Sequence, residues 1–350
     1  MKIILPCCGR SSRYPNQPPK WLLPAYDGRP MIQWSVSKLD LAGCDLVMTI
    51  LQEHEDQFKV SAGVKEIFGD QIELIVLKEP TSSQAETVAR TIEHARLTGP
   101  ILIKDSDNAF EFGPVQRDFN YVCVDSLNNH DEINPRNKSY VAADHTGRIN
   151  NIREKNVISD TFSVGGYYFT CAQQFLETYT ALQKVERAQK AELYVSDIVG
   201  SLISKGVPFF AERVKGYQDW GTIHEWRKFL NSNSGLFVSL DGFVFTRGSK
   251  NFEPRFENTV PNREAVQALK ELSKKGQKIV YLTIRDESYA EVTRRQMAEA
   301  GLPPGPMIFD CPSGRWKFIG SPHPTLPTAS FTGLEIDPVD PALLEKITAI

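Results

Sequence analysis

At 350 residues, with 41% hydrophobic and 24% charged side chains, the chain has the composition of a folded globular protein and not of a disordered, collagen-like or membrane-spanning one. It exceeds the roughly 250–300 residues at which one hydrophobic core stops growing, so two domains are expected. Asp and Glu (43) slightly outnumber Lys and Arg (40), a formal charge of −3, which leaves no basic surplus for nucleic acid.

In chain order, the apolar run Met1–Leu5 breaks at Pro6. It is too short for a signal peptide or a spanning helix, so a cytoplasmic location away from any membrane is expected. Short apolar runs then alternate with longer amphipathic ones, the pattern of a mostly parallel sheet covered by helices. Strands are predicted over Lys2–Pro6, Asp45–Leu51, Ile72–Leu77, Ile101–Lys104, Tyr121–Val124, Ser139–Ala143 and Gly165–Thr170. Helices are predicted over Met31–Leu39, Gln57–Ile67, Ser83–Ala95, Ala172–Leu182 and Val195–Lys205. The polar run Asn231–Gly235 marks a boundary, giving a first domain over 1–232 and a second over 235–350. The second is a smaller α/β unit: strand Leu236–Leu240, helix Arg263–Lys275, strand Lys278–Leu282, helix Tyr289–Ala300, then short strands. Six cysteines at 7, 8, 44, 123, 171 and 311 form no Cys-x-x-Cys pair; they read as buried thiols, with neither zinc nor disulfides.

Several segments carry chemistry. After the first strand comes Pro6-Cys7-Cys8-Gly9-Arg10, then Arg13 and Pro19-Lys20. Small residues there let backbone N–H groups approach phosphate oxygens, and Arg13 and Lys20 can add charge; a plain glycine turn has the same composition. Ser83 and Gln84 open a helix, and capping alone would explain the serine. Ile101–Lys104 runs into Asp105-Ser106-Asp107, hard oxygen ligands at a strand's carboxyl edge that suit Mg²⁺ when phosphates complete its shell. Asp219 ahead of Gly221, the Glu154-Lys155 pair and Gly166 each read alone as a turn, a surface ion pair and a strand glycine.

Taken in order, Leu5–Tyr14, Pro19–Pro24, Glu79–Val88, Ile101–Asn108, Ile152–Lys155, Val164–Phe169 and Gln218–Thr222 resemble the sugar-nucleotide pyrophosphorylase, or NTP-transferase, family over about the first 230 residues. Cys8 and Ser11 depart from it where the family often has Gly or another small residue. The resemblance implies a Rossmann-like α/β domain that joins an NTP to a sugar 1-phosphate or similar phosphorylated small molecule and releases pyrophosphate. It further implies a role in surface polysaccharide supply, and it leaves homo-oligomerisation open. It assigns Arg13, Lys20 and Asp107 to catalysis, and Pro6, Cys7, Cys8, Gly9, Arg10, Ser83 and Gln84 to the nucleotide. Glu154, Lys155 and Gly166 fall to the acceptor, and Asp107 and Asp219 to Mg²⁺, with Asp105 as a helper.

In the second domain, Phe237–Phe245 resembles the first motif of haloacid dehalogenase-like phosphatases, an apolar strand followed by Asp-x-Asp-Gly. Ser239 stands in the nucleophile's place and Asp241 is retained. Ile279–Thr283 resembles the second motif, and Arg315–Ser321 the last, with Gly320 and Ser321 where acids belong. A serine without an activating base and a magnesium cage without its acids imply an inactive domain. Three rival readings stand beside this one: a bifunctional nucleotidyltransferase and phosphatase, a metal-dependent glycosyltransferase using Asp105-Ser106-Asp107, and a non-catalytic nucleotide sensor.

Overall fold

The computed structural model describes residues 1–9, 13–130, 133–189, 192–232 and 235–313, with Ala342 and Lys346. It divides into two compact units, Met1–Trp226 and Arg227–Ile350, within helix Ile223–Ser232.

The first unit runs β1 (Lys2–Pro6), α1 (Met31–Val36), β2 (Asp45–Leu51), α2 (Gln52–Phe58), α3 (Val60–Phe68), β3 (Ile72–Leu77), α4 (Gln84–His94), β4 (Ile101–Lys104) and β5 (Asn108–Glu111). It continues through β6 (Asn120–Ser126), β7 (Ser139–Ala143), β8 (Ile149–Glu154), β9 (Thr161–Phe169), α5 (Ala172–Gln189), α6 (Val195–Ser204), β10 (Phe209–Arg213), β11 (Lys215–Asp219) and the start of α7 (Ile223–Ser232). The main sheet has the order β10-β6-β9-β4-β1-β2-β3, with β7 and β8 attached through β9. It is mixed and mostly parallel: β9 runs antiparallel to β4 and β6, whereas β1 pairs in parallel with β2 and β4.

Side chains alternate across each strand, so Ile3 and Leu5 face one core with α1 and α3, and Ile4 faces another with α4, α5 and α6. Both faces are covered, which is why these strands read as unbroken apolar runs. The carboxyl ends of β1, β3 and β4 open on one edge, where their loops can meet a ligand.

The helix expected over Gln57–Ile67 is broken. Lys59 adopts a left-handed conformation (φ 51°) that ends α2 and starts α3. Helix α5 runs seven residues beyond its expected end, and β5, β8, β10 and β11 were not foreseen. Among the described residues, β5 and β11 pair only with each other, in a separate antiparallel ribbon.

The second unit contains β12 (Gly235–Ser239), α8 (Arg263–Lys274), β13 (Lys278–Leu282), α9 (Ala290–Ala300) and β14 (Met307–Ile308). Its strands form a parallel three-stranded sheet, β12-β13-β14. The proposed last phosphatase motif, Arg315–Ser321, lies outside the described residues.

Candidate active site

Two neighbouring cavities of about 560 and 450 Å³ open in the first unit. The larger is bounded by the end of β1 (Pro6) and the loop after it (Cys7, Gly9), by Arg13 and Lys20, and by Thr81–Gln84 at the start of α4. Lys138, Ser139, Glu154, Lys155, Tyr217 and Asp219 border the smaller. Arg13, Gln84, Asp105, Asp107, Glu192 and Tyr194 line both and form the seam between them.

Pairing of β5 with β11 makes the seam. Asp219 stands opposite Asn108 in that ribbon, and Trp220 N–H donates to the Asp107 carbonyl at 2.8 Å. Two carboxylates more than a hundred residues apart in sequence thereby face one point. Asp219 Oδ1, Arg13 Nη1 and Asp107 Oδ2 lie 3.2, 3.3 and 3.7 Å from the place a Cβ on Gly221 would take. The Tyr14 hydroxyl latches the first loop to the same turn, through the Trp220 carbonyl and, at 3.0 Å, the Thr222 carbonyl.

Each carboxylate holds a lysine: Asp107 pairs with Lys20 and Asp219 with Lys138. Burial would raise Asp107, but Lys20, Arg13 and Lys138 outweigh it and hold the carboxyl low. Asp105 goes the other way, pushed up by burial and by the Asp107 charge. It accepts from Gln84 Nε2 and packs against Gly165. Beneath the turn, fully buried Lys104 donates to the Asp105 carbonyl (2.7 Å), the Asn108 carbonyl (2.9 Å) and Asn108 Oδ1 (2.6 Å). Burial lowers that ammonium.

Other expected residues fall in varied places. Ser83 caps α4, its hydroxyl accepting from Glu86 N–H at 3.1 Å. Glu154 Oε2 accepts from Ser139 and, at 2.9 Å, from Ser196. Lys155 donates to the Tyr194 hydroxyl at 2.5 Å and lies 4.4 Å from the centre of that ring. Cys8 borders neither cavity: its thiol donates to the Thr49 carbonyl at 3.4 Å among Val47, Leu51 and Leu77, and burial pushes it up to about 12. Arg10 lies outside the described residues.

Gly166 requires a correction. Its Cα faces Cys123 and Phe110, where a Cβ would sit 2.8 Å from Cys123 Sγ, and Gly165 lines the cavity in its place. A bulge is the reason: the β6–β9 register jumps from Cys123↔Gly166 to Val124↔Ser163, which turns Gly165 outward at φ +78°. A Cβ there would stand 2.1 Å from Asp105 Oδ2. Gly165→Ala is expected to cost about 2–4 kcal/mol, from left-handed strain plus the clash, read as a lower urea midpoint. A shift below about 0.5 kcal/mol would show that the bulge yields freely.

Sequence reasoning passed over Lys104, Lys138, Tyr14, Tyr194 and Glu192. Tyr14 and Lys104 stood inside quoted motifs, whereas Lys138, Tyr194 and Glu192 lie in stretches where only the tertiary fold gives them a role.

The nucleotidyl transferase family profile matches residues 16–233. The chain belongs to that family. It is an enzyme of the nucleotidyltransferase type. Among solved structures it resembles the nucleoside-diphosphate-sugar pyrophosphorylase of Vibrio cholerae RC9, at 24% identity and TM-score 0.55, over 65% of this chain and 99% of that one. A putative glucose-1-phosphate thymidylyltransferase from Bacillus anthracis matches at 21% identity and TM-score 0.52, over 66% and 93%. A UDP-glucose pyrophosphorylase complexed with UDP-glucose matches at 15% and 0.51, over 66% and 97%. At these identities the likeness concerns the fold. No curated protein matches the chain. No helix among the described residues is long and apolar enough to cross a membrane.

Proposed function

We propose that the first unit transfers a nucleoside monophosphate from an NTP to a sugar 1-phosphate or similar phosphorylated small molecule. The acceptor phosphate oxygen bonds to the α-phosphorus, the bond to the β-phosphate oxygen breaks, and pyrophosphate leaves. The observation that carries this reading is the seam: two cavities meet where Arg13 and two carboxylates converge.

In this reading the larger cavity takes the NTP, with Arg13 and Lys20 on its phosphates and Ser83 and Gln84 toward its base. The smaller takes the acceptor, with Lys155 on its phosphate and Glu154 on a hydroxyl. Among the described residues no three His, Cys, Asp or Glu side chains form a metal cage. Mg²⁺ needs only one or two carboxylates when phosphates supply other oxygens, and the Asp107–Asp219 cradle fits that demand. Those two aspartates would hold Mg²⁺, which supplies charge neutralisation on the phosphates. The chain's own part is alignment and further neutralisation by Arg13 and Lys20. An acceptor phosphate is already ionised at neutral pH, so no general base is required.

Asp105 is drawn toward Gln84 and Gly165, which favours this scheme over a glycosyltransferase resting on Asp105 and Asp107 together. For the second unit we infer a non-catalytic role, since Asp241 is committed to Thr283, Ile284 and Arg285. A cytoplasmic place in surface polysaccharide supply completes the proposal.

Pyrophosphate release tests it: four NTPs with Mg²⁺ against a panel of sugar 1-phosphates and phosphorylated polyols. One pair should react, and a chelator should stop it. Transfer from a sugar nucleotide without pyrophosphate would overturn the reading.

A further inference from the structure

Lys138 has no part in the scheme above, yet it is the charged group most tightly built into the acceptor cavity. Its side chain is only 10% exposed. The ammonium donates to the Tyr217 hydroxyl at 2.8 Å and pairs with Asp219. It lies 5.2 Å from the centre of the Tyr217 ring and 5.7 Å from that of Phe162. Its charge also reaches across the seam to Asp107. The lysine therefore pairs with one carboxylate of the cradle and faces the charge of the other, with its ammonium beside two aromatic rings.

A cation in that place competes with a divalent metal for Asp219. Two positive charges cannot share one carboxylate in a partly buried site without strong repulsion. The ammonium cannot withdraw far, because Tyr217 and the Phe162 ring restrain it; it can turn from Asp219 toward the cavity it already lines. An incoming phosphate is the one anion the proposed reaction brings there.

We infer that Lys138 exchanges partners, holding Asp219 when no metal is present and the acceptor's phosphate once Mg²⁺ occupies the cradle. This rests on the transfer reading for the nature of the acceptor. It makes phosphate binding in the smaller cavity depend on metal, and it keeps Asp219 neutralised in the metal-free protein.

The test uses the full chain without nucleotide. Mg²⁺ binding is titrated calorimetrically for the wild type, Lys138→Met and Lys138→Arg, and inorganic phosphate binding is then measured at saturating Mg²⁺. Lys138→Met should bind Mg²⁺ about tenfold more tightly and phosphate about tenfold more weakly. Lys138→Arg should return both toward wild type. A lysine that merely braces Asp219 and Tyr217 would, when removed, loosen the site for both ligands. Folded Lys138→Met with unchanged or weaker Mg²⁺ binding would thus overturn the inference. Should that variant not fold, Lys138→Gln retains a hydrogen-bond partner for Tyr217 and is read the same way. Neither titration involves turnover, so a wild type that releases no pyrophosphate sinks the transfer reading and leaves the exchange at Asp219 to be judged by its own data.

Discussion

Asp107→Asn should fold normally and lose about a thousandfold in the rate of pyrophosphate release, the scale seen when one preorganised charge at a reacting phosphate is removed. Asn keeps the shape and one acceptor oxygen but surrenders the charge that would hold Mg²⁺. It also replaces the carboxylate that pairs with Lys20, whose side chain is 18% exposed, by a neutral amide, so a small stability loss of about 1 kcal/mol is expected. Binding of NTP without metal supplies the control. With the negative charge gone, Lys20 and Arg13 are freed for the triphosphate, and metal-free affinity should hold or rise while catalysis collapses. Adding Asp219→Asn should cost little more, since residues that share one metal act as a unit. Quenched-flow or coupled pyrophosphate assays decide the matter. A rate within tenfold of wild type would remove Asp107 from the mechanism.

What the chain discloses before folding depends on how local each cause is. Strands β1, β2, β3, β4 and β7 begin and end where their apolar runs do, and in β1, β2 and β4 burial on both faces leaves continuous hydrophobic stretches. The ribbon of β5 and β11 left no such trace. Asn108–Glu111 and Lys215–Asp219 are short and mixed in polarity, and each is a strand only because the other lies beside it. That ribbon nonetheless sets the distance between Asp107 and Asp219.

The glycine pair shows the same limit at the scale of one residue. Gly165 and Gly166 are indistinguishable in sequence, and only the bulge opposite Cys123 decides which one faces the cavity. Lys104 and Lys138 read as ordinary lysines. Their roles come from a turn closing over one and an aromatic wall closing around the other, neither of which is written in neighbouring residues. From motifs built of contiguous loops, Pro6, Cys7 and Gly9, Lys20 and Ser83-Gln84 lie around one cavity.

The largest stability effect is expected in the second unit, from Asp241→Ala. Arg285 and Asp241 form an ion pair at 2.9 Å whose side chains are 0% and 3% exposed. Three of the guanidinium's four other donors go to Thr259 (3.0 Å), Thr293 (3.1 Å) and Gln296 (2.6 Å). Asp241 accepts in addition from Thr283 and from Ile284 N–H at 3.1 Å. Removing the carboxylate leaves a buried positive charge with only neutral partners, a loss of about 3–5 kcal/mol. Arg285→Met alone should cost less, because Asp241 keeps its hydroxyl and amide donors, and the double variant Asp241→Ala/Arg285→Met should recover part of the loss. Guanidinium unfolding followed by circular dichroism would show it, with the two units treated as separate transitions. A cost below about 1 kcal/mol would mean that water reaches the pair. A cost in the expected range would show that this ion pair is a structural keystone, with Asp241 fully engaged in holding Arg285 and unavailable to a metal or a phosphoryl group.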